Sequence, residues 1–258
     1  MYKHCFALLA LFGICAPLTA QTGRVVLVEE FTETGCSACA QYDSAFQAIT
    51  DANAGKIALL NYHCFYMLDP FYQYYKACDA RYNAYKLEGY PCAMMNGKKP
   101  NANSAHQSFV TAQRINALYN QPELFKIDIA SKSTGSDTAH SAKITVTAKA
   151  LADNPSSELK LFVAITESNI NYQERYGKAS VNGVNEFNHI LRAFLPDMQG
   201  TSIGAQTTGK TNTVKVDYAN NEKEVNYKEV RIVAFIQDMT TLEVLGAATT
   251  TAHPFQGK

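Results

Sequence analysis

The sequence has no tryptophan, no net charge, and no long apolar run after its first twenty residues. Lys plus Arg counts 23 and Asp plus Glu counts 23. Without a basic excess there is no field to hold a phosphate backbone, so a nucleic-acid partner is excluded. Without further apolar stretches of about 20 residues, a protein with several membrane-spanning helices is excluded. There is no internal repeat and no low-complexity tract, which removes solenoids and disordered arrays. There is also only one close-spaced cysteine pair, Cys36 and Cys39, so a two-pair zinc site is absent. What is present is an ordinary globular composition, 47% hydrophobic and 18% charged over 258 residues. That length fits one large domain or two modest ones, and either buries a real core.

Residues 1–20 read as a secretory signal peptide. Lys3 and His4 give a polar start, and Cys5 to Cys15 is almost wholly apolar. Pro17 breaks the run, and Ala20 offers a small residue before a cut at Gln21. Ile14 before Cys15 argues against a lipid-anchored form. An exported chain meets an oxidising compartment, where disulfides persist.

From Gly23 to Gln121 strand-like and helix-like segments alternate. Arg24 to Val28 is a β-branched run, read as a buried strand. Beyond Cys36, Tyr42, Ala45, Phe46, Ile49 and Ala52 recur at helical spacing, and Gly55 marks the end. Lys56 to His63 predicts a second strand. Asp69-Pro70 is a helix start, an acid at the cap followed by proline at the first helical position. Phe71, Tyr75, Cys78, Tyr82 and Tyr85 then share one face of one predicted helix. A third strand, Tyr90 to Met95, runs into Asn96-Gly97, a strong hairpin signal. A last helix is predicted over Ser104 to Asn120. Such alternation predicts an α/β layer fold.

After Gln121-Pro122 the helical pattern stops. Short strands are predicted at Phe125–Ile129, Lys143–Thr147, Leu159–Ile165, Ile190–Phe194, Val214–Tyr218, Val230–Ile236 and Leu242–Ala247. Seven short strands with polar turns suggest an immunoglobulin-like β-sandwich. The predicted organisation is therefore a signal peptide (1–20), an α/β domain (21–122) and an all-β sandwich domain (123–258), each domain with its own core.

The chemistry sits at Cys36-Ser37-Ala38-Cys39. Two cysteines so spaced serve as a redox dithiol, as half of a zinc site completed by His63 and Cys64, or as a structural disulfide. This pair follows a strand and opens a helix, whose free N–H groups stabilise a thiolate at the first cysteine. Cys36 is then the nucleophile, and Cys39, one turn deeper, resolves the mixed disulfide.

Removal of the signal peptide leaves Cys36, Cys39, Cys64, Cys78 and Cys92, an odd number. A Cys64–Cys78 bridge is the favoured further pairing, worth roughly 3 kcal/mol for a loop of about 15 residues. Three buried free thiols are the plain alternative, and Cys92 beside Pro91 as a third redox thiol is another. Eight of the 15 tyrosines fall between Tyr62 and Tyr90. Tyr75, Tyr82 and Tyr85 read as core, whereas Tyr66, Tyr72 and Tyr74 are candidates for a peptide-binding lip. His106 and His189 are lone histidines with a structural reading.

The segment Val28-Glu29-Glu30-Phe31-Thr32-Glu33-Thr34-Gly35-Cys36-Ser37-Ala38-Cys39 resembles the active-site segment of the thioredoxin superfamily, and Gly89-Tyr90-Pro91-Cys92 resembles its cis-proline loop. More narrowly, the order of these motifs with Asp69-Pro70-Phe71, Asn96-Gly97, Asn188-His189-Ile190-Leu191-Arg192 and Leu195-Pro196 resembles a Gram-negative family named for a twenty-eight-kilodalton outer-membrane protein. That resemblance implies an exported thioredoxin-like domain followed by a β-sandwich. It implies Cys36 as attacking thiol, Cys39 as resolving thiol, Pro91 as the cis proline facing them, and Glu30 as a buried acid that relays a proton. On the residues alone, Glu30 reads equally as an exposed charge at a strand end. The chain departs from thioredoxins in carrying Gly35 where tryptophan is usual, Ser-Ala between the thiols, and Cys92 in place of threonine.

The function expected is thiol–disulfide exchange on exported proteins. It needs no cofactor and no metal; its partners are protein thiols or disulfides and a redox partner protein. The alternative is an outer-membrane-associated surface binding protein whose Cys pair is a structural bridge. The expected location is the periplasm or the outer membrane.

Overall fold

The computed structural model describes residues 23–74, 78–100, 109–133, 141–219, 225–252 and 254–255. The predicted signal peptide, Tyr75 and His106 lie outside them.

The chain begins with β1 (Val26–Thr32), α1 (Ser37–Ala52) and β2 (Ile57–His63). Two short helices follow, α2 (Pro70–Tyr74) and α3 (Cys78–Ala84), then β3 (Cys92–Met95) and α4 (Ala112–Tyr119). From there on strands dominate: β4 (Phe125–Ser133), β5 (Ser141–Ala150), β6 (Leu159–Glu167) and β7 (Ile170–Asn171). Next come α5 (Tyr172–Tyr176), β8 (Glu186–Phe187), β9 (Ile190–Leu195), β10 (Thr201–Ser202), β11 (Thr211–Ala219), β12 (Val230–Asp238) and β13 (Val244–Thr249). The fold is mostly β-sheet with few helices. All seven strands predicted after Pro122 form.

Hydrophobic periodicity explains the layers. Every residue of β1 is buried, as a strand covered on both faces requires. β5 and β11 instead alternate buried with exposed positions, the mark of a sheet with one solvated face. Asn96 and Gly97 both take positive φ, 49° and 75°, and turn the chain after β3 as the Asn-Gly pair predicts.

The main sheet has eight strands in the order β13-β12-β6-β9-β2-β1-β3, with β10 attached to β6. β1 and β2 are parallel, and β3 runs antiparallel to β1. A second sheet, β11-β5-β4, packs across β6 and β12 through Ile144, Val146, Val163, Ile165, Val214 and Ile232. On that same side of the main sheet, α1 and its neighbours cover β1 and β2 through Val26, Val28, Tyr42, Phe46, Ile57 and Leu59.

The opposite side of the main sheet corrects the sequence reading. One continuous core there joins Leu27, Phe31, Leu60 and Tyr62 to Phe162, Leu191, Phe194 and Phe235. The predicted boundary at Pro122 does mark the change from helix to strand, but the two halves do not have separate cores. The reason is the free edge of β2. Asn61 pairs with Ile190 of β9, its N–H donates to the His189 carbonyl at 2.9 Å, and its side-chain amide donates to the Asn188 carbonyl at 2.7 Å. That join seals an exposed edge and lines up the large side chains of both halves. Each one fully buried contributes roughly 1.5–3 kcal/mol. The sandwich exists, but one of its sheets runs on into the α/β half.

Candidate functional site

The site is built where β1 ends. Residues 33–36 turn the chain into α1, and Cys36 is the helix cap, its Sγ accepting from the Cys39 N–H at 2.9 Å. Cys36 and Cys39 form a disulfide with a Cα separation of 5.2 Å. Cys36 is half-buried, whereas Cys39, on the inner face of α1, has no solvent exposure. Gly35 leaves room for the Tyr66 ring: a Cβ there would lie 2.9 Å from a ring carbon, so the ring would have to shift. From far along the sequence, Asn182 holds the turn. Its N–H donates to the Thr34 carbonyl at 2.9 Å, and its amide donates to the carbonyls of Glu33 and Cys36 at 3.2 and 3.3 Å. The Tyr90–Pro91 peptide is cis, and the Tyr90 side chain hydrogen-bonds Glu33 of the same turn.

Parallel register places Glu30 beside Asn61 and Thr32 beside His63. Paired residues share a sheet face, so all four point toward α1, where Asp43 sits one turn beyond Cys39. They line a cavity of about 40 Å³. Glu30 is buried, and one of its carboxylate oxygens has no partner among the described residues. The sequence left its burial open; the structure answers it. Burial first, then the Asp43 carboxylate, holds the Glu30 carboxyl well above its ordinary value. Burial likewise raises Asp43 to about 6, against the pull of His63. His63 Nδ1 lies 2.6 Å from Asp69 Oδ2, and its Nε2 is buried without a partner. Asp69 also accepts from the N–H groups of Thr34 and Phe71 at 2.8 and 2.9 Å. Its own burial works to raise its pKa, but His63 and those two donors hold it below the ordinary value.

The other expected site residues are placed as follows. Cys64, Cys78 and Cys92 are free and buried; the favoured Cys64–Cys78 bridge is not formed. Those two thiols hydrogen-bond each other, and that contact, followed by burial, pushes Cys64 up. Burial raises Cys92 to about 11, the wrong direction for a third reactive thiol. Cys64 faces Cys78, and no group of three His, Cys, Asp or Glu among the described residues is placed to hold a metal ion. Tyr72 is tied to Asp79 at 2.9 Å, and Tyr66 is half-buried against Gly35. The most exposed apolar side chains of the adjoining loops are aliphatic. Met67, Leu68 and Val181 are 73%, 72% and 69% exposed, on the two loops that hold the Cys36 turn. His189 lines the same cavity as Glu30, and burial holds it down to about 4.

Sequence reasoning missed Asp43, Asp69 and Asn182. Asp43 had a signal, its four-residue spacing from Cys39 on a predicted helix. Asp69 was read only as a cap. Asn182 had none, being 146 residues from its partner.

Residues 78–251 match the family described as Outer membrane protein Omp28. The matched stretch begins after the Cys36–Cys39 pair. No curated protein matches the sequence. Among solved structures, HBP35 of Porphyromonas gingivalis is similar over 92% of this chain and 77% of its own, with a TM-score of 0.71 at 15% identity. A protein of Agrobacterium tumefaciens is similar over 93% and 99%, with a TM-score of 0.57 at 18% identity. A domain of the outer membrane lipoprotein Omp28 from Porphyromonas gingivalis aligns with 52% of this chain and 91% of its own, with a TM-score of 0.34 at 21% identity. The first two share the fold.

Proposed function

The chain belongs to the outer membrane protein Omp28 family and is exported and outer-membrane-associated; on that premise we propose that it exchanges disulfides with other exported proteins. The observation that carries this reading is the asymmetry of the pair. Cys36 is half-buried at a helix N-terminus, and Cys39, one turn on, has no solvent exposure. A thiolate at Cys36 is stabilised by the N–H groups of the first turn, among them the Cys39 N–H already aimed at its sulfur. Cys39 is reached only by a mixed disulfide formed at Cys36. The parallel β1-α1-β2 unit, the antiparallel β3 and the Pro91 loop against the Glu33 turn support the thioredoxin-like reading of residues 21–122.

A second reading is supported by different observations. The family match gives a place in the cell and does not reach Cys36 or Cys39. The exposed aliphatic side chains of Met67, Leu68 and Val181 suit a surface binding protein whose disulfide pins the turn between two docking loops.

The two readings separate in a trapping experiment. With Cys39→Ser, exchange predicts reducible adducts between Cys36 and exported proteins in the outer-membrane fraction, because nothing resolves them. Cys36→Ser should give none. Absence of adducts from both variants refutes exchange and leaves the binding protein.

A further inference from the structure

Three buried polar atoms of residues lining one cavity have no partner among the described residues: an oxygen of Glu30, Oδ1 of Asn61 and Nε2 of His63. Such atoms are costly to leave unpaired, and about 40 Å³ has room for water to join them. His63 is not free to turn away. Its other nitrogen is fixed 2.6 Å from Asp69, which is itself held by two backbone N–H groups. The rings of Phe71 and Phe187 pack edge-on against the imidazole, with centroids at 4.8 and 5.7 Å. A rigid imidazole with one nitrogen anchored on a carboxylate and the other presented to a wet cavity is arranged to pass protons.

We infer that His63, oriented by Asp69, carries the proton of Glu30 to and from solvent across this cavity. The inference rests on the thiol–disulfide reading above and assigns a residue to its second step. In that step the Cys39 sulfur bonds to the Cys36 sulfur of a mixed disulfide. The bond from Cys36 to the substrate sulfur breaks, and its electron pair leaves on the substrate thiolate. The proton of Cys39 passes to Glu30, then through water to His63 Nε2, and from there to solvent. Solvent returns a proton to the substrate thiolate. The substrate disulfide is thereby reduced as the Cys36–Cys39 pair is oxidised, and the opposite reaction runs the same transfers backward. Without an exit, a proton on Glu30 blocks the next turnover.

The titratable groups around His63 are known from each side. Asp69 faces it from the loop before α2, Asp43 from α1, and Glu30 and Glu33 from β1 and the following turn. Glu186 and His189 line the same cavity from the β8 side, and Asp51 lines it from the last turn of α1. Asp43, raised to about 6 by burial, is only partly buried and lines the same cavity.

His63 acts through Glu30 and is a positioning residue, so the test must separate the two chemical steps. Reduced full-length protein is mixed with a labelled disulfide-bonded peptide, quenched with acid, and resolved into mixed disulfide and oxidised protein. For His63→Gln, formation of the mixed disulfide should keep the wild-type rate. Its resolution at pH 7 should slow about tenfold, below the 10²–10⁴ typical of a direct acid–base group. The loss should shrink as pH rises, because hydroxide then takes the proton. Asp69→Asn keeps an oxygen for only one of its two backbone donors, since Thr34 bonds Oδ2 and Phe71 bonds Oδ1, and it lacks the charge that orients the imidazole. It should show the same selective loss and decides the matter if His63→Gln does not fold. Resolution at the wild-type rate, or equal slowing of both steps at every pH, overturns the inference and leaves the exchange reading standing. Failure of the wild-type protein to form any mixed disulfide overturns both.

Discussion

Arg81 of α3 is bound to Glu29 of β1 in the interior of the protein. The side chains of both are buried. Tyr62 and Tyr85 donate to the same carboxylate at 2.8 and 2.7 Å, and Gln237 of β12 closes the network onto Arg81 and the Tyr85 hydroxyl. The guanidinium also lies 5.1 Å from the Phe235 ring and 5.6 Å from the Phe162 ring. One ion pair therefore ties residues of the first hundred to the strands of the second half.

Because Gln237, Phe162 and Phe235 share this network with Glu29 and Arg81, the two halves should unfold together. Removing one partner of a buried pair leaves an uncompensated charge, which costs about 3–5 kcal/mol. Arg81→Met should lower stability by about that much. Urea unfolding followed by probes in each half should show coincident transitions in the wild type. Two separated transitions would restore the independent domains that the sequence suggests.

Gly97 tests the same join from the other edge. Its φ is +75°, and a Cβ would lie 1.7 Å from the Leu242 carbonyl oxygen, so the turns after β3 and β12 cannot both stay in place. Gly97→Ala should cost roughly 1–3 kcal/mol, the range for strain at such a backbone position, measured as a lower urea midpoint. A neutral outcome would show that the two turns are not in contact.

The buried acid gives a pH-dependent signature. The folded chain holds Glu30 well above the ordinary carboxyl value of 4.5. In the window above 4.5 the folded state keeps a proton that the unfolded state releases, so stability falls as pH rises. Glu30→Gln should raise the urea midpoint at pH 7, and the gain should vanish near pH 4. An equal effect at both pH values would mean that Glu30 is not raised.

Asp43 offers a direct observation of the cavity. Carboxyl NMR should find its midpoint at about 6 rather than 3.8. Because His63 pulls that value down, His63→Gln should move it higher still. An Asp43 midpoint in the ordinary range would place its carboxyl in bulk water, away from Glu30 and His63.

Much of this was legible in the sequence, and the limit has a physical cause. The strands after Pro122 and the helix after Cys36 follow from periodicity, which is local. Asn96-Gly97 and Asp69-Pro70 were legible because turn and cap chemistry involve only neighbours. The shared core was not. β2 reads the same whether its outer edge meets β9 or solvent, since period-two patterning reports which face is buried and says nothing of which strand lies alongside. Glu30 shows the same limit within the site. A charge next to Glu29 has no local mark of burial, and the two point to opposite faces, one toward Arg81 and the other toward the cavity. Asn182 reaches Cys36 only because two distant loops converge.

The central claim, that Cys36 is an exchangeable thiol, is tested most directly by its alkylation rate in the reduced, folded protein as a function of pH. Cys36 should react with iodoacetamide at neutral pH, with a midpoint below the free-cysteine value of about 8.5. Cys39, Cys64, Cys78 and Cys92, all buried, should stay unmodified until the protein is denatured. A Cys36 that is unreactive, or that titrates above about 8.5, contradicts the claim and leaves the disulfide as a structural bridge.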